Sequence, residues 1–356
     1  MVNGNGFQPN RVVVGVDTHK DQHMAVAIDL LGARLCEHRV AATTQGAADL
    51  ERWSCGLGEV SAFGIEGTGC YGAGLSRFLT SRGHAVVEVN RPDRSTRRQK
   101  GKSDPTDAEM AARAVLAGVA RVTPKSGEGK VEMIRMLKIT KDSAVKARTQ
   151  ASNQMQSLIV TAPAALRQTL DGLTGTKLVG RCARLRPGKL ATPTAVAKHA
   201  LWSLAHRCHQ LTVEINALEN ELVQLTAQTA PALLQLFGVG PNSAATLLVT
   251  AGSNPERLRS EAAFAALCGV SPLPASSGKT NRHRLNRGGD RQANAALYRI
   301  VIVRLQYDTR TKAYMKRRIG EGMTKAEVIR CLKRYVAREV FRILREMQRE
   351  NVAEGA

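Results

Sequence analysis

The chain has 356 residues, 43% of them apolar, and its 52 lysines and arginines against 30 aspartates and glutamates give a formal charge of +22. That length suggests roughly two or three domains, and that apolar content builds a packed core and excludes an intrinsically disordered chain. No apolar run approaches the roughly 20 residues a spanning helix needs, so the positive charge points to nucleic acid rather than a membrane surface.

The first ten residues are polar and lack the apolar core of a signal peptide. Seven scattered cysteines, none in a C-x-x-C pair, indicate neither a disulfide framework nor a zinc site. His206-Arg207-Cys208-His209 has the composition of a ligand cluster, but Cys208 falls on the apolar stripe of a helix. The expectation is a reduced, cytoplasmic protein. Aromatic residues make up only 4%, so stacking on single strands is not the expected binding mode.

Three short apolar or alternating runs, Val12–Val16, Met24–Ile28 and Ala33–Val40, read as strands. Joined so closely they must pair antiparallel, because a parallel crossover needs a dozen or more residues. A helix over Gln45–Leu57, a strand at Ala62–Ile65, a helix at Gly72–Ser81, a strand at Ala85–Val89 and a helix at Pro105–Leu116 follow. This β-β-β-α-β-α-β-α order is shared by ribonuclease-H-like nucleases and by actin-like and sugar-kinase ATPases. The ATPase alternative needs a second, similar half with its own phosphate loop, which the rest of the chain does not supply.

Residues 131–159 turn helical, and a Gly/Pro/Arg-rich break is expected over 171–193. Leu201, Leu204, Cys208, Leu211, Ile215, Leu218, Leu222 and Leu225 then step by three and four, the seam of a coiled coil or of one long helix packed on its own domain. Phe237-Gly238-Val239-Gly240-Pro241 reads as a turn between two helices, like a helix-hairpin-helix, whose amides can hold a phosphate. A capping box of Thr324 and Glu327 starts the last helix. Its expected buried side is Val328, Leu332, Tyr335, Val336, Ile343, Leu344 and Met347, and its basic side includes Arg330, Lys333, Arg334 and Arg338. The expected domains are 1–125, 126–229 and 230–356: an α/β unit, a helical coiled-coil region and a mainly helical C-terminal unit.

Four acids stand where this sheet would gather them. Asp17 closes the first strand, Glu66 closes the fourth, and Asp104 and Asp107 open a helix. Carboxylates so placed can converge on divalent cations, and two ions about 3.5–4 Å apart serve both oxygens of a phosphodiester displacement. Taken alone, Asp104 also reads as an N-cap with Pro105 at N1 and Asp107 at N3. Arg94, Arg97, Arg98, Lys100 and Lys102 run straight into this helix and suit a phosphate backbone. A second candidate is the stretch around Ser276-Ser277-Gly278, followed by Lys279, Arg282, Arg284 and Arg287. Read alone it is a basic DNA-contacting loop, and a serine there needs activation to act as a nucleophile.

Gly-Val-Asp-Thr-His-Lys at 15–20, Gly-Ile-Glu-Gly-Thr-Gly at 64–69 and Lys-Ser-Asp-Pro-Thr-Asp-Ala at 102–108 resemble the motifs of the insertion-sequence one-ten transposases, relatives of the Piv-type DNA invertases. Residues 237–241 and the Ser277-Gly278 to Arg287-Gly288-Gly289 stretch resemble the family's C-terminal domain. The resemblance implies a RuvC-like DEDD domain in which Asp17, Glu66, Asp104 and Asp107 bind Mg²⁺. It implies a serine nucleophile at Ser277, favoured over Ser276 by its place before glycine, that forms a covalent phosphoserine–DNA link. It further implies double-stranded donor and target DNA as substrates, a structured bridge RNA that selects them by pairing, and a homo-oligomer from dimer to tetramer. The competing expectation is a RuvC-like junction resolvase with the same four acids and no covalent step.

Overall fold

The computed structural model describes residues 11–89, 103–254, 257–276 and 283–354. They form two compact units, the first made of residues up to 128 together with 252–259, the second of 129–251 and 260 onward. The regions expected as separate coiled-coil and C-terminal domains thus fall in one unit.

The first unit is built on a sheet of β1 (Arg11–Thr18), β2 (Gln22–Asp29), β3 (Arg34–Ala41), β4 (Glu59–Glu66) and β5 (Val86–Val89). Its order is β3-β2-β1-β4-β5. The three strands joined by tight turns pair antiparallel, as their short connections require. β4 pairs parallel with β1 and β5 parallel with β4, each reached through a helix, α1 (Thr44–Leu57) and α2 (Ala73–Ser81). The element order matches the reading from sequence, with boundaries shifted by at most three residues.

The faces of this sheet follow the two-residue alternation of a strand. Val12, Val14 and Val16 bury with Ala25, Ala27, Phe63 and Ile65 under Leu50 of α1 and Leu75 and Leu79 of α2. On the other face Val13, Met24, Val26 and Ile28 bury under Ala108 and Ala112 of α3 (Asp104–Leu116). β1 is therefore apolar along its length because both its faces are covered.

Gly15 and Gly64 occupy the α3 face. A Cβ on Gly15 would collide with the Ala108 carbonyl and the Ala112 amide, and one on Gly64 would lie 2.7 Å from Val115 Cγ2 and 2.9 Å from the Ala111 oxygen. These two glycines let the backbone of α3 rest directly on the strands. The returning segment 252–259 is tied to the same unit. Asn254 Nδ2 donates to the Pro124 carbonyl at 2.7 Å, its Oδ1 accepts from the Ser126 amide at 3.2 Å, and Arg257 Nε donates to the Thr123 carbonyl at 3.0 Å.

In the second unit α4 (Gly129–Thr161) and α7 (Pro193–Thr229) run antiparallel. Arg148 Nη1 donates to Thr212 Oγ1 at 3.4 Å, and Lys141 pairs with Glu219 about two turns further along. Leu201, Cys208, Ile215 and Leu222 are buried at steps of seven, while Leu204, Leu211, Leu218 and Leu225 are half-buried. The heptad seam is thus covered by a helix of the same chain. α5 (Ala164–Leu170) and α6 (Gly175–Cys182) complete that core. α6 corrects the expected break over 171–193: Leu178 and Cys182 find apolar cover from Leu201 and Ala205, and this packing outweighs the local glycines.

Short α8 (Pro231–Leu234) precedes α9 (Pro241–Ala251). The first arm expected around Gly238 and Gly240 is thereby only one turn long. Then come α10 (Glu261–Leu267), a two-stranded antiparallel ladder of β6 (Leu273–Pro274) and β7 (His283–Arg284), α11 (Arg291–Tyr307), α12 (Thr309–Gly320) and α13 (Lys325–Glu354). The capping box of α13 forms as expected: Glu327 Oε2 accepts from the Thr324 amide at 2.9 Å, and the Glu327 amide donates to Thr324 Oγ1 at 3.3 Å. Val328, Leu332, Val336, Ile343 and Leu344 are buried as expected, but Tyr335 is 43% exposed and Lys333 is only 7% exposed.

Candidate functional site

Asp17 and Glu66 lie at the C-terminal ends of adjacent parallel strands, where the register pairs Val16 with Ile65 one residue earlier. Each stands two residues beyond a glycine of the α3 face, so the strand alternation sends both side chains to that face. Thr18 Oγ1 donates to the Glu66 carbonyl at 2.7 Å and ties the strand ends together. α3 rests on Gly15 and Gly64 with its first turn at the same end of the sheet, which brings Asp104 and Asp107 to Asp17.

The start of α3 corrects one reading. Ser103, not Asp104, is the N-cap; its Oγ accepts from the Thr106 amide at 3.4 Å, and Asp104 is the first helical residue. The Asp104 carboxylate is therefore not used on the helix's own amides. It turns to His19, whose Nε2 lies 3.4 Å from Asp104 Oδ1 and 3.1 Å from Asp17 Oδ2. Asp107, one turn on, is buried at 3% exposure.

Asp17, His19 and Asp104 each present a ligand atom within 4.8 Å of one another, a group that could hold a metal ion. Burial pushes the Asp17 carboxyl above its usual range; His19 pulls it back, and Asp107 and Asp104 raise it further. Crowded, partly buried carboxylates repel one another, and a divalent cation relieves that repulsion. The carboxylate oxygens suit a hard divalent ion, and the imidazole nitrogen adds one softer ligand. His19 received no role from sequence. A histidine two residues after Asp17, at a strand end where i and i+2 still face the same way, was the available signal.

The second candidate stretch forms a hairpin in the other unit. Leu273 pairs with Arg284 and Pro274 with His283. Ser276 is exposed at its outer edge, while Ser277, Lys279 and Arg282 lie outside the described residues. Arg284 and Arg287 are exposed on the return strand and just beyond it. The base of the hairpin is closely built. Gly289, at φ +85°, fits against the Gly269 amide at 2.6 Å and the Ala266 and Leu267 carbonyls at 2.7 Å from where a Cβ would stand. Asp290 caps α11 by accepting from the Gln292 and Ala293 amides, and Thr250 Oγ1 donates to its other oxygen at 3.0 Å. Gly238, at φ +80°, closes a turn whose Phe237 carbonyl accepts from Arg304 Nε at 2.8 Å, and Gly240 is exposed ahead of α9. Arg94, Arg97, Arg98, Lys100 and Lys102 lie outside the described residues.

Two family models match the stretches that contain these residues. A DEDD transposase model of the IS110 type, described simply as a transposase, matches residues 14–162, and one for the "Transposase IS116/IS110/IS902 family" matches residues 230–316. The chain belongs to the IS110 family of transposases. The first match runs from β1 through the acid cluster to the end of α4, and the second runs from α8 through the hairpin into α12. α7 lies between the two matches, and α13 lies beyond both. The chain is also 30% identical over 118 residues to the "Insertion element IS110 uncharacterized 43.6 kDa protein" of Streptomyces coelicolor. That similarity spans 33% of this transposase and 29% of the relative's length. No helix of the described residues is long and apolar enough to cross a membrane.

Proposed function

We propose that the chain is an RNA-guided DNA recombinase that cuts and joins donor and target DNA during transposition of its own element. The observation that carries this reading is the gathering of Asp17, His19 and Asp104 at one end of the sheet, with Asp107 beside them, inside the stretch that resembles DEDD transposases. Asp17, Glu66, Asp104 and Asp107 would hold Mg²⁺, with His19 orienting the Asp17 and Asp104 carboxylates. When bound, such ions supply Lewis acidity to the phosphodiester oxygens and lower the pKa of an attacking hydroxyl.

Ser277 is the proposed nucleophile. Its Oγ bonds to phosphorus as the phosphorus–oxygen bond to the departing sugar breaks, and that sugar oxygen takes up the proton the serine loses. Two separate observations support this division of labour: the acids lie in one unit and the serine hairpin in the other, each within its own family match. Arg284 and Arg287, exposed around the hairpin, suit the DNA backbone, as do Arg94, Arg97, Arg98, Lys100, Lys102, Lys279 and Arg282 by their place in the sequence. The turn at Gly238 and Gly240 would offer α9's first amides to a phosphate. The family resemblance and the +22 charge support a bridge RNA as guide and a dimer or tetramer as the working assembly.

The test is recombination by purified protein with the RNA that copurifies from cells, in the presence and absence of Mg²⁺. Asp104→Asn is expected to abolish cleavage with the circular dichroism spectrum unchanged, and Ser277→Ala to abolish covalent protein–DNA adducts. Full cleavage by Ser277→Ala would instead make the chain a RuvC-like resolvase without a covalent step. Full cleavage by Asp104→Asn would sink the metal site.

A further inference from the structure

α13 lies beyond both family matches, and its basic residues read from sequence as one solvated or nucleic-acid-facing side. The structure separates one of them from the rest. Lys333 is 7% exposed, and its Nζ donates to Asn294 Oδ1 of α11 at 2.8 Å. Among the described residues no carboxylate lies within ion-pairing distance of it. Asn294 in turn donates through Nδ2 to the Cys268 and Gly269 carbonyls at 3.1 and 2.9 Å. Lys333 is thus anchored at the root of the segment that leads into β6 and the serine.

A buried ammonium held only by neutral groups is costly, because the desolvation penalty of the ion is not met by an opposite charge. Burial, with the nearby Arg330 second, holds its pKa below the ordinary lysine value. The missing charge has a place to come from. Lys333 lines a cavity of about 580 Å³ between the hairpin base and the first turns of α13. Four cationic side chains, Arg284, Arg330, Lys333 and Arg334, line it against the one carboxylate of Glu327. Arg334 is engaged by Glu261, and Glu327 closes the capping box of α13 with one oxygen while its other lies 3.8 Å from Arg330, so among the described residues the cavity still keeps an excess of positive charge. Leu285, Met323 and Tyr335 supply an apolar wall. The volume lies within the roughly 300–1,000 Å³ of pockets that take small organic ligands, well beyond what a bare phosphate fills.

We propose that this cavity takes one phosphate-bearing nucleotide of the DNA strand, with Lys333 and Arg330 holding its phosphodiester and Leu285, Met323 and Tyr335 covering the sugar and base. The pocket is lined by Arg284 of β7 and by residues 269–272, which lead into β6, so a strand seated here is held beside the β6–β7 ladder. This inference rests on the reading of the hairpin as the DNA-handling element. It adds α13 to that element as a positioning helix.

The experiment is equilibrium binding of a fluorescent 30-base-pair DNA duplex to the full chain across a series of KCl concentrations, with a duplex RNA as the second probe. Lys333→Met keeps the aliphatic stem and removes the charge. It should melt no lower than wild type, weaken DNA binding, and make the slope of log affinity against log salt shallower by roughly 0.9, the share of one phosphate contact. Arg330→Gln, on the half-exposed rim, should do the same and decides the matter if Lys333→Met fails to fold. Wild-type slopes in both variants, with wild-type DNA binding intact, overturn the pocket while leaving the proposed function standing. A slope change with RNA and none with DNA assigns the pocket to RNA and overturns the DNA proposal. Failure of the wild-type chain to bind either duplex defeats the pocket and the functional reading together.

Discussion

Gly15→Ala offers a severe test of how the acid cluster is assembled, because it touches none of the acids. The added Cβ would collide with backbone atoms, the Ala108 carbonyl oxygen and the Ala112 amide nitrogen, and lie 3.0 Å from the Ala108 carbonyl carbon. Backbone cannot rotate aside as a side-chain tip can, so α3 must lift off the sheet as a body, taking Asp104 and Asp107 with it. Overpacking of this kind costs about 1–3 kcal/mol of stability. The functional loss should be larger, since displacing catalytic groups by about 1 Å costs about a hundredfold in rate. Gly74→Ala in α2 is the matched control: a Cβ there meets nothing within 4 Å, and alanine in this first turn should leave the protein at least as stable as the wild type. Calorimetry, read on the transition of the N-terminal unit, measures the first effect, and Mg²⁺-dependent DNA cleavage measures the second. A Gly15→Ala protein that melts and cleaves like the wild type would refute the claim that close contact between α3 and the strands positions the acids.

Ser103→Ala removes the cap of α3 and should lower stability by about 1 kcal/mol, with a weakened response of the melting temperature to added Mg²⁺ because the first turn carries Asp104. Asp308, the cap of α12, has its carboxyl held below the usual range, first by the Thr311 hydroxyl and further by the Thr311 amide at 2.9 Å. A depressed carboxylate contributes stability above its unfolded pKa of about 3.9 and loses it as pH falls through the folded value. Asp308→Ala should therefore melt below wild type at neutral pH, and the gap should close in melts taken below about pH 4.

Much of the N-terminal unit was legible because strands announce themselves by alternation and by the length of what joins them. β1 was legible as an unbroken apolar run, which is what a strand covered on both faces presents, and the short links forced the antiparallel pairs. The four acids were legible as strand ends and a helix start. His19 was not, because one histidine beside one aspartate carries no periodicity, and only the arrival of α3 gives it a second carboxylate. The cap was misread because Ser103 and Asp104 are both good caps and adjacent; the choice depends on what else competes for the carboxylate. α6 was hidden by its glycines, since its helical state comes from burying Leu178 and Cys182 rather than from propensity. Lys333 was the deepest miss. Its charge set it with the arginines, although it stands three, four and seven residues before the buried Val336, Ala337 and Val340, and Asn294 of another helix receives its ammonium.

The segment 252–259 has a consequence for how the protein is made. Asn254 and Arg257 bond to the 123–126 stretch, and Arg257 also meets Glu88 of β5 at 3.5 Å. Chains leave the ribosome from the N-terminus and tend to fold domain by domain as they emerge. Here the sheet that carries the acids cannot acquire its last fastenings until residues far beyond the long helical hairpin have been translated. A proteolytic or truncated fragment ending at residue 128 would carry every acid and still lack part of its own fold.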